Sequence, residues 1–170
     1  MMQRRRVLPL LALVTGLPGC GFALRGAPSF AFESLRLQGS ETTPVTRELQ
    51  LTLEDAGVRV FTSALPSNPE GETGEVVLTV LTDQRERSVV GQTAAGQVRE
   101  LQLRARFRFR LATARGEPLL DETELLLVRD ISYTETAALA KEAEEALQYR
   151  DMQRDIVQQT MRRLAAVSRP

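Results

Sequence analysis

The hydrophobic pattern is clearest between Leu101 and Leu111, where apolar and polar residues alternate without a break. A period of two is typical of a β-strand that buries one face and exposes the other. Because the apolar residues occupy the odd positions, the segment predicts a strand with one side in a core. Its opposite side would carry a row of four arginines: Arg104, Arg106, Arg108 and Arg110.

Two further strands are expected on either side of this segment. Glu75 to Leu81 is rich in Val, Leu and Thr, and the strand is expected to continue through the polar residues Asp83 to Val90. A glycine-containing turn at 91–96 joins it to the arginine-bearing strand. A second turn at 115–118 leads into a strand from Leu119 to Ile131. The three strands are predicted to form an antiparallel meander with long arms.

The N-terminal part of the mature chain predicts a strand, a helix and a second strand. Phe32 to Gln38 contains alternation and predicts the first strand, and Val58-Arg59-Val60 predicts a short second strand. A strand–helix–strand order favours parallel neighbours in one sheet. Between the two strands, Thr43 and Pro44 supply a cap residue and a proline at the first helical position. The helix is expected to bury Val45, Leu49, Leu53 and Ala56 and to end at Gly57.

The residues that follow predict a loop and, at the other end of the chain, a long helix. Thr62 to Gly74 contains two prolines and two glycines and is expected to be a loop. Thr136 to Ala166 contains neither residue and predicts one helix, with Arg150 and Gln153 interrupting its apolar stripe. We therefore expect an α+β fold, a two-layer sandwich with two helices packed on one face of a mixed, mostly antiparallel sheet. The stripe expected to face the sheet comprises Leu139, Ala143, Ala146, Leu147, Val157, Met161 and Leu164.

The first residues have the pattern of a bacterial lipoprotein signal. Three arginines at 4–6 precede an apolar stretch from Val7 to Val14, and Gly19 precedes Cys20, the only cysteine of the chain. The apolar stretch is shorter than the roughly 20 residues that a spanning helix needs. We expect residues 1–19 to be removed and residues 20–170 to form one domain, anchored to the outer membrane by fatty chains on Cys20.

Composition excludes several classes of function. The chain has no histidine, so it can form neither a Ser-His-Asp triad nor a histidine-based zinc site. Removing the three signal arginines leaves a net charge of −3, which does not indicate nucleic-acid binding. No cofactor and no metal are expected. The carboxylate pairs Glu144/Glu145 and Asp121/Glu122 are interpreted as solvated residues of a helix and a strand, and an enzyme is not expected.

The arginine row allows three interpretations. It can be neutralised by acidic residues on neighbouring strands, for which Glu86, Glu122 and Glu124 are candidates. It can bind an anionic ligand, since guanidinium groups bind phosphate in a bidentate manner and lipopolysaccharide is the abundant phosphorylated ligand of an outer membrane. It can also contact the polar lumen of a β-barrel.

Several stretches resemble the lipopolysaccharide-assembly lipoprotein family LptE. Cys20 to Arg25 is similar to the mature start of that family, and Ser88 to Gln97 is similar to its central hairpin. Leu139 to Glu142, with Glu144 and Glu145 and then Met152 and Arg162 to Leu164, is similar to its C-terminal helix. The order and the spacing of these stretches agree across the whole mature chain.

This resemblance implies a non-enzymatic plug and assembly partner of the outer-membrane barrel LptD, with direct binding of lipopolysaccharide by basic residues. Lys141 matches the family's lysine at the start of the last helix and is expected to contact the ligand. The family's hairpin arginine is replaced by Val89–Gly91, so Arg85, Arg87 and Arg99 are candidates for its role. The alternative function is that of an auxiliary lipoprotein in another envelope lipid-transport system.

Overall fold

The computed structural model describes residues 29–62, 75–134 and 137–168. They form five strands and two helices, and the sheet order is β2-β1-β3-β4-β5. Both helices pack on one face of this sheet, so the expected α+β sandwich is confirmed. The signal, Cys20 and nearly all of the predicted loop at 62–74 lie outside the described residues. The elements are β1 (Ser34–Gly39), α1 (Pro44–Asp55), β2 (Arg59–Phe61), β3 (Glu75–Gln92), β4 (Val98–Thr113), β5 (Pro118–Ser132) and α2 (Ala138–Ala165).

The strand–helix–strand unit has the predicted parallel arrangement. β1 is the centre of the parallel part and pairs with both β2 and β3. Proline occupies the first turn of α1, where a missing N–H costs nothing, and Gly57 follows the helix with φ +88°. The helix lies on the sheet through three buried side chains at helical spacing, Val45, Leu49 and Leu53.

The cap of α1 differs from the expectation. Thr43 occupies the N-cap position, but its hydroxyl donates to the carbonyl of Ser40 and makes no cap bond. The carboxylate of Asp83, in β3, accepts the backbone N–H groups of Val45 at 3.0 Å and of Thr46 at 3.2 Å. A residue of the sheet therefore satisfies N–H groups that a helix leaves free at its start.

β1 ends at Gly39, where only glycine is compatible with the structure. The residue has φ +98°, and a Cβ atom built there would lie 2.2 Å from the carbonyl oxygen of Val80 on β3. Both the positive φ and the close approach of the two backbones exclude a side chain. β1 therefore leaves the sheet at this level, and β3 continues without it.

β3, β4 and β5 form the expected antiparallel meander, with β3 pairing with β4 and β4 with β5. β3 is 18 residues long, or about 60 Å at about 3.3 Å per residue. β1 accompanies it only as far as Val80. We call the remaining part of the meander the distal half: β3 from Thr82 to Gln92 and the residues of β4 and β5 that pair with it.

The core lies between the sheet and the helices. The odd positions of 101–111 are all buried, as the alternation predicts, and the rings of Phe107 and Phe109 lie 5.5 Å apart between centroids. α2 contributes buried side chains mainly from its second half. These are Tyr149, Met152, Ile156, Val157, Thr160, Met161 and Leu164.

The apolar stripe predicted for α2 is correct in the second half of the helix and wrong in the first. Val157, Met161 and Leu164 are buried, whereas Leu139 is 83% exposed and Leu147 is 52% exposed. The two halves of α2 differ in burial because of where α1 lies. α1 starts at the level of Asp83 and runs back toward the level of Glu75, which is also where β2 begins. It therefore packs beside the second half of α2 alone.

Candidate ligand-binding and partner surfaces

The first half of α2 turns its charged side toward the sheet. The guanidinium Nε of Arg87 lies 3.4 Å from the carboxylate of Glu145. The ammonium of Lys141 lies 2.7 Å from Glu144 and donates to the hydroxyl of Ser132, at the end of β5, over 3.1 Å. The structure thus brings two of the predicted ligand contacts, Arg87 and Lys141, to the helix side of the distal half.

Arg85 lies on the same side and is held without a carboxylate. Its guanidinium donates to the side-chain oxygen of Gln153 and lies 5.2 Å from the ring centroid of Tyr149, a cation–π distance. Among the described residues, no acidic side chain forms an ion pair with it. Arg85 is therefore an ordered cation whose charge is not locally neutralised.

Tyr149 joins the helix to the distal half of β3. Its hydroxyl donates to the backbone carbonyl of Glu86 over 2.6 Å. Burial raises the pKa of the Tyr149 phenol above its usual value, and the nearby carboxylate of Glu145 raises it further. The neutral phenol is the form that donates this hydrogen bond.

Arg99 lies at the start of β4, at the far end of the distal half. Its backbone carbonyl accepts the N–H of Tyr133 at 2.8 Å, directly after Ser132, to which Lys141 is bonded. Arg99 is exposed, and no ion pair involves it within the part of the chain that the structure describes. The four predicted ligand contacts therefore belong to one end of the sheet, although Arg99 is separated from Arg85 and Arg87 along the strands.

The arginine row lies on the face of the sheet that carries no helix, and we call it the open arginine face. Arg106 lies 3.8 Å from Glu124, and Arg108 is hydrogen-bonded to Glu122. These are two of the three acidic residues that the sequence offered as cross-strand partners. The charges of Arg106 and Arg108 are therefore offset within the sheet by pairs that contribute only about 0.2–1 kcal/mol each.

The remaining two arginines of this face have other surroundings. Arg104 donates from Nε to Gln102 over 2.8 Å, and in the strand register it lies opposite Glu86, the third candidate partner. Arg110 is exposed and forms no ion pair with any described residue. It lines a shallow hollow of about 500 Å³ beside the β4–β5 turn, together with Gln38, Thr79, Gly116, Pro118 and Glu122.

The carboxylates considered for acid–base chemistry are mostly engaged in ion pairs. Glu144 is paired with Lys141, Glu145 with Arg87, and Glu122 with Arg108. Over the described ranges, no three His, Cys, Asp or Glu side chains are grouped so that they could hold a metal ion. Within these ranges there is also no helix of the length and apolar character that crossing a membrane requires.

Sequence reasoning missed Asp83, Tyr149 and Gln153, which connect the elements around this site. Gln153 donates to the carbonyl of Pro44 over 3.0 Å and to Glu48, so it links α2 to α1. These two partners lie more than 100 residues away in the chain, and no local pattern indicates them. The sequence showed Gln153 only as an interruption of the apolar stripe.

Solved structures of lipoproteins are similar to this chain. An uncharacterized lipoprotein B from Nitrosomonas europaea, solved by NMR, is 28% identical, with 86% of this chain and 91% of that chain covered and a TM-score of 0.69. A rare lipoprotein B from Shewanella oneidensis is 23% identical, with 78% and 94% covered and a TM-score of 0.62. A minor lipoprotein from Acinetobacter baumannii is 22% identical, with 81% and 94% covered and a TM-score of 0.61. The last two show a likeness of fold.

A family assignment comes from the sequence itself. Among curated proteins, none matches this chain. The sequence profile of one family, described as LptE: Lipopolysaccharide-assembly, matches residues 32–164. The match begins before β1 and ends in the last turn of α2, so it includes every element of the fold. Because it spans well over half of the chain, this protein belongs to the LptE family, the lipoproteins of lipopolysaccharide assembly.

Proposed function

We propose that this chain is a non-enzymatic outer-membrane lipoprotein that binds lipopolysaccharide and plugs an LptD-type β-barrel, assisting its assembly. One observation carries the ligand-binding part: Arg85, Arg87 and Lys141 lie between the distal half of β3 and the first half of α2 in a member of this family. Arg99 is the fourth proposed contact, at the tip of the same end.

The arrangement suits phosphate groups. Guanidinium forks bind phosphate through two parallel hydrogen bonds, and an ammonium binds it as a point charge. Arg85 is already ordered by Gln153 and Tyr149, so less side-chain freedom is lost when an anion binds. Arg87 and Lys141 would exchange Glu145 and Glu144 for phosphate oxygens. The 3.4 Å separation between Arg87 and Glu145 is long for a charge-assisted hydrogen bond, which makes that exchange easier.

A binding measurement with charge variants tests this site. We expect Arg85→Gln combined with Arg87→Gln, and separately Lys141→Glu, to weaken lipopolysaccharide binding about tenfold each at matched salt. Arg115→Gln in the β4–β5 turn is the matched control, since Arg115 is exposed and lies at the opposite end of the sheet from the distal half. Urea unfolding midpoints should stay close to the wild-type value. Equal affinities for all variants and the wild type would refute the site.

The open arginine face is proposed to contact the barrel. The lumen of such a barrel is polar, so a plug can meet it with a face of charged side chains that needs no lipid-facing surface. Arg106 and Arg108, with their partners Glu124 and Glu122, form the centre of that face. Single ion pairs there are worth little, but several across a large interface can fix the orientation of the plug.

Isolation of the protein from membranes tests the partner. We expect a large β-barrel protein to be recovered with the wild type and to be lost with Arg106→Glu combined with Arg108→Glu. If the variant loses only thermal stability and retains the barrel, the face serves cross-strand pairing alone. Recovery of an inner-membrane transporter in place of a barrel would favour the alternative, an auxiliary lipoprotein of another envelope lipid-transport system.

The anchor is proposed at Cys20, which lies outside the described residues. Mass analysis of the processed protein should show acyl chains on an N-terminal Cys20, and Cys20→Ala should release the protein from the outer membrane. An unmodified N-terminus at another residue would refute the anchor. The absence of enzymatic activity is tested by Glu144→Gln combined with Glu145→Gln, which should leave lipopolysaccharide export intact at the cell surface.

A further inference from the structure

The first half of α2 has the reverse of the usual arrangement of a surface helix. A helix packed on a sheet normally buries an apolar stripe and exposes charge. Here the charged side chains face the sheet. Glu145 pairs with Arg87 of β3, and Lys141 is bonded to Ser132 of β5 and to Glu144. The outward surface carries Leu139, Ala143, Ala146 and Leu147, which are all exposed.

This outward surface is continuous with a buried one. Val157, Met161 and Leu164 come eighteen residues, or five full turns, after Leu139, Ala143 and Ala146, so they lie on the same side of the helix. In the second half of α2 this side is buried. In the first half no described element covers it, because α1 starts at the level of Gln153 and runs away from it.

A cation lies at the end of the exposed surface. Arg150 follows Ala146 by four residues and Ala143 by seven, which places it in the same row. It is exposed, and no described side chain forms an ion pair with it. We call Leu139, Ala143, Ala146, Leu147 and Arg150 the α2 stripe.

The dimensions of the α2 stripe favour a lipid chain over a protein. From residue 139 to residue 147 a helix rises about 12 Å, and a helix with its side chains is about 10 Å wide. The accessible surface of this patch is therefore on the order of a few hundred Å², below the roughly 800 Å² per partner of a stable protein interface. A polar barrel lumen also offers nothing apolar to cover two leucines. A hydrocarbon chain that ends in an anionic group fits both the apolar row and the cation.

We infer that the α2 stripe binds an acyl chain of lipopolysaccharide along Leu139, Ala143 and Leu147, with an anionic group of the same molecule at Arg150. The inference rests on the proposed function. It adds a second contact region to that function, on the outer side of the helix whose inner side carries Lys141. The helix would then bind phosphate on one side and hydrocarbon on the other.

The test separates the contribution of the hydrocarbon from that of the charge. The full mature chain is titrated with intact lipopolysaccharide, with the same lipopolysaccharide after chemical deacylation, and with phosphatidylglycerol vesicles. The variants are Leu139→Ser combined with Leu147→Ser, and Arg150→Gln. The control is Leu51→Ser on α1, an equally drastic change at a leucine that is 56% exposed.

We expect the double leucine variant to lose affinity for intact lipopolysaccharide by about tenfold or more, with unchanged affinity for the deacylated form. Arg150→Gln should weaken binding of both forms, and Leu51→Ser neither. An unchanged affinity of the double variant for intact lipopolysaccharide would overturn the inference while the proposed function stands. Loss of vesicle binding alone would overturn it as well, since the stripe would then contact membrane phospholipid. If the wild type binds no form of lipopolysaccharide, the proposed function falls together with this inference.

Discussion

Replacing Asp83 by alanine should destabilise the protein more than replacing Thr43 by alanine, although Thr43 is the residue at the N-cap of α1. The Asp83 carboxylate accepts the N–H groups of Val45 and Thr46, at 3.0 and 3.2 Å. The Thr43 hydroxyl donates to the Ser40 carbonyl at 2.7 Å, its oxygen lies 3.0 Å from the Thr46 hydroxyl oxygen, and it caps nothing. The two substitutions therefore separate a cap supplied by the sheet from one supplied by the local sequence.

The magnitude follows from what each substitution removes. An N-cap acceptor is worth about 0.5–2 kcal/mol, and a negative charge at a helix N-terminus adds about 0.3–1 kcal/mol. Because Asp83 bonds two N–H groups, we expect Asp83→Ala to cost about 2 kcal/mol. Asp83→Asn keeps an acceptor and loses the charge, so it should cost about 0.3–1 kcal/mol. Thr43→Ala removes one ordinary hydrogen bond and should cost about 1 kcal/mol or less.

Urea unfolding followed by circular dichroism measures these differences. With a slope of about 2 kcal/mol per molar urea, Asp83→Ala should lower the midpoint by about 1 M with the slope unchanged. Asp121→Asn, at an exposed position of β5, is the control and should stay within about 0.5 kcal/mol of the wild type. The reasoning is refuted if Thr43→Ala lowers the midpoint more than Asp83→Ala, or if Asp83→Ala leaves it unchanged.

Three further predictions concern stability and use the same unfolding assay. Gly39→Ala should cost at least about 3 kcal/mol, because the new Cβ would lie 2.2 Å from the Val80 carbonyl oxygen. Gly116→Ala should cost about 1–2 kcal/mol, because Gly116 also has a positive φ but has open space around it. Equal costs at the two positions would show that the close approach is not a constraint. Tyr149→Phe should cost about 1 kcal/mol at neutral pH, through the lost hydrogen bond to Glu86. Because the folded pKa of Tyr149 is raised, the phenol's contribution to stability is present below pH 10 and is lost as the pH rises through the folded pKa. The difference in stability between wild type and variant should therefore shrink at that pH. A difference independent of pH would contradict this. Leu139→Ser should change stability by less than about 0.5 kcal/mol, whereas Ile156→Ala should cost about 2–5 kcal/mol; a large loss at Leu139 would mean that it is buried in solution.

The sheet was the most predictable part of the fold. In β4 every second side chain from Leu101 to Leu111 enters the core, and a period of two admits only one assignment of faces. The position of the four arginines on the opposite face followed from the same alternation. Which arginine pairs with which acid did not follow, because the pairs form between strands and the register between β4 and β5 includes shifts after Phe109 and Leu111. Two of the three acids proposed as partners, Glu122 and Glu124, lie beside Arg108 and Arg106.

The helices were predictable in extent but only partly in orientation. α2 has nearly the predicted length, since neither glycine nor proline interrupts it. Its apolar row gave the buried side correctly only where α1 lies beside it, at Val157, Met161 and Leu164. A helical period identifies which residues share a side and does not say what covers that side at each turn. The exposure of Leu139 and Leu147 depends on where α1 begins.

The ligand contacts taken from the family resemblance remain a prediction, but the structure adds their surroundings. Lys141 and Arg87 lie in ion pairs with Glu144 and Glu145, and Arg85 lies on Tyr149. The partners of Arg85 and Arg87 could not be assigned from the sequence, because the strand and the helix that carry them are about 60 residues apart. Glu144, by contrast, lies within one helical turn of Lys141.

Local order along the chain thus determined the strands, the helices and the row of arginines, because each depends on spacing between near neighbours. The anchor at Cys20 stays a prediction. The tertiary structure alone decided that a strand carboxylate caps α1, that no acidic side chain among the described residues pairs with Arg85 and that these residues leave half of an apolar helix face uncovered. These features depend on where β1 leaves the sheet and where α1 begins. Those two positions are set by contacts between residues far apart in the sequence, and no periodicity encodes such contacts.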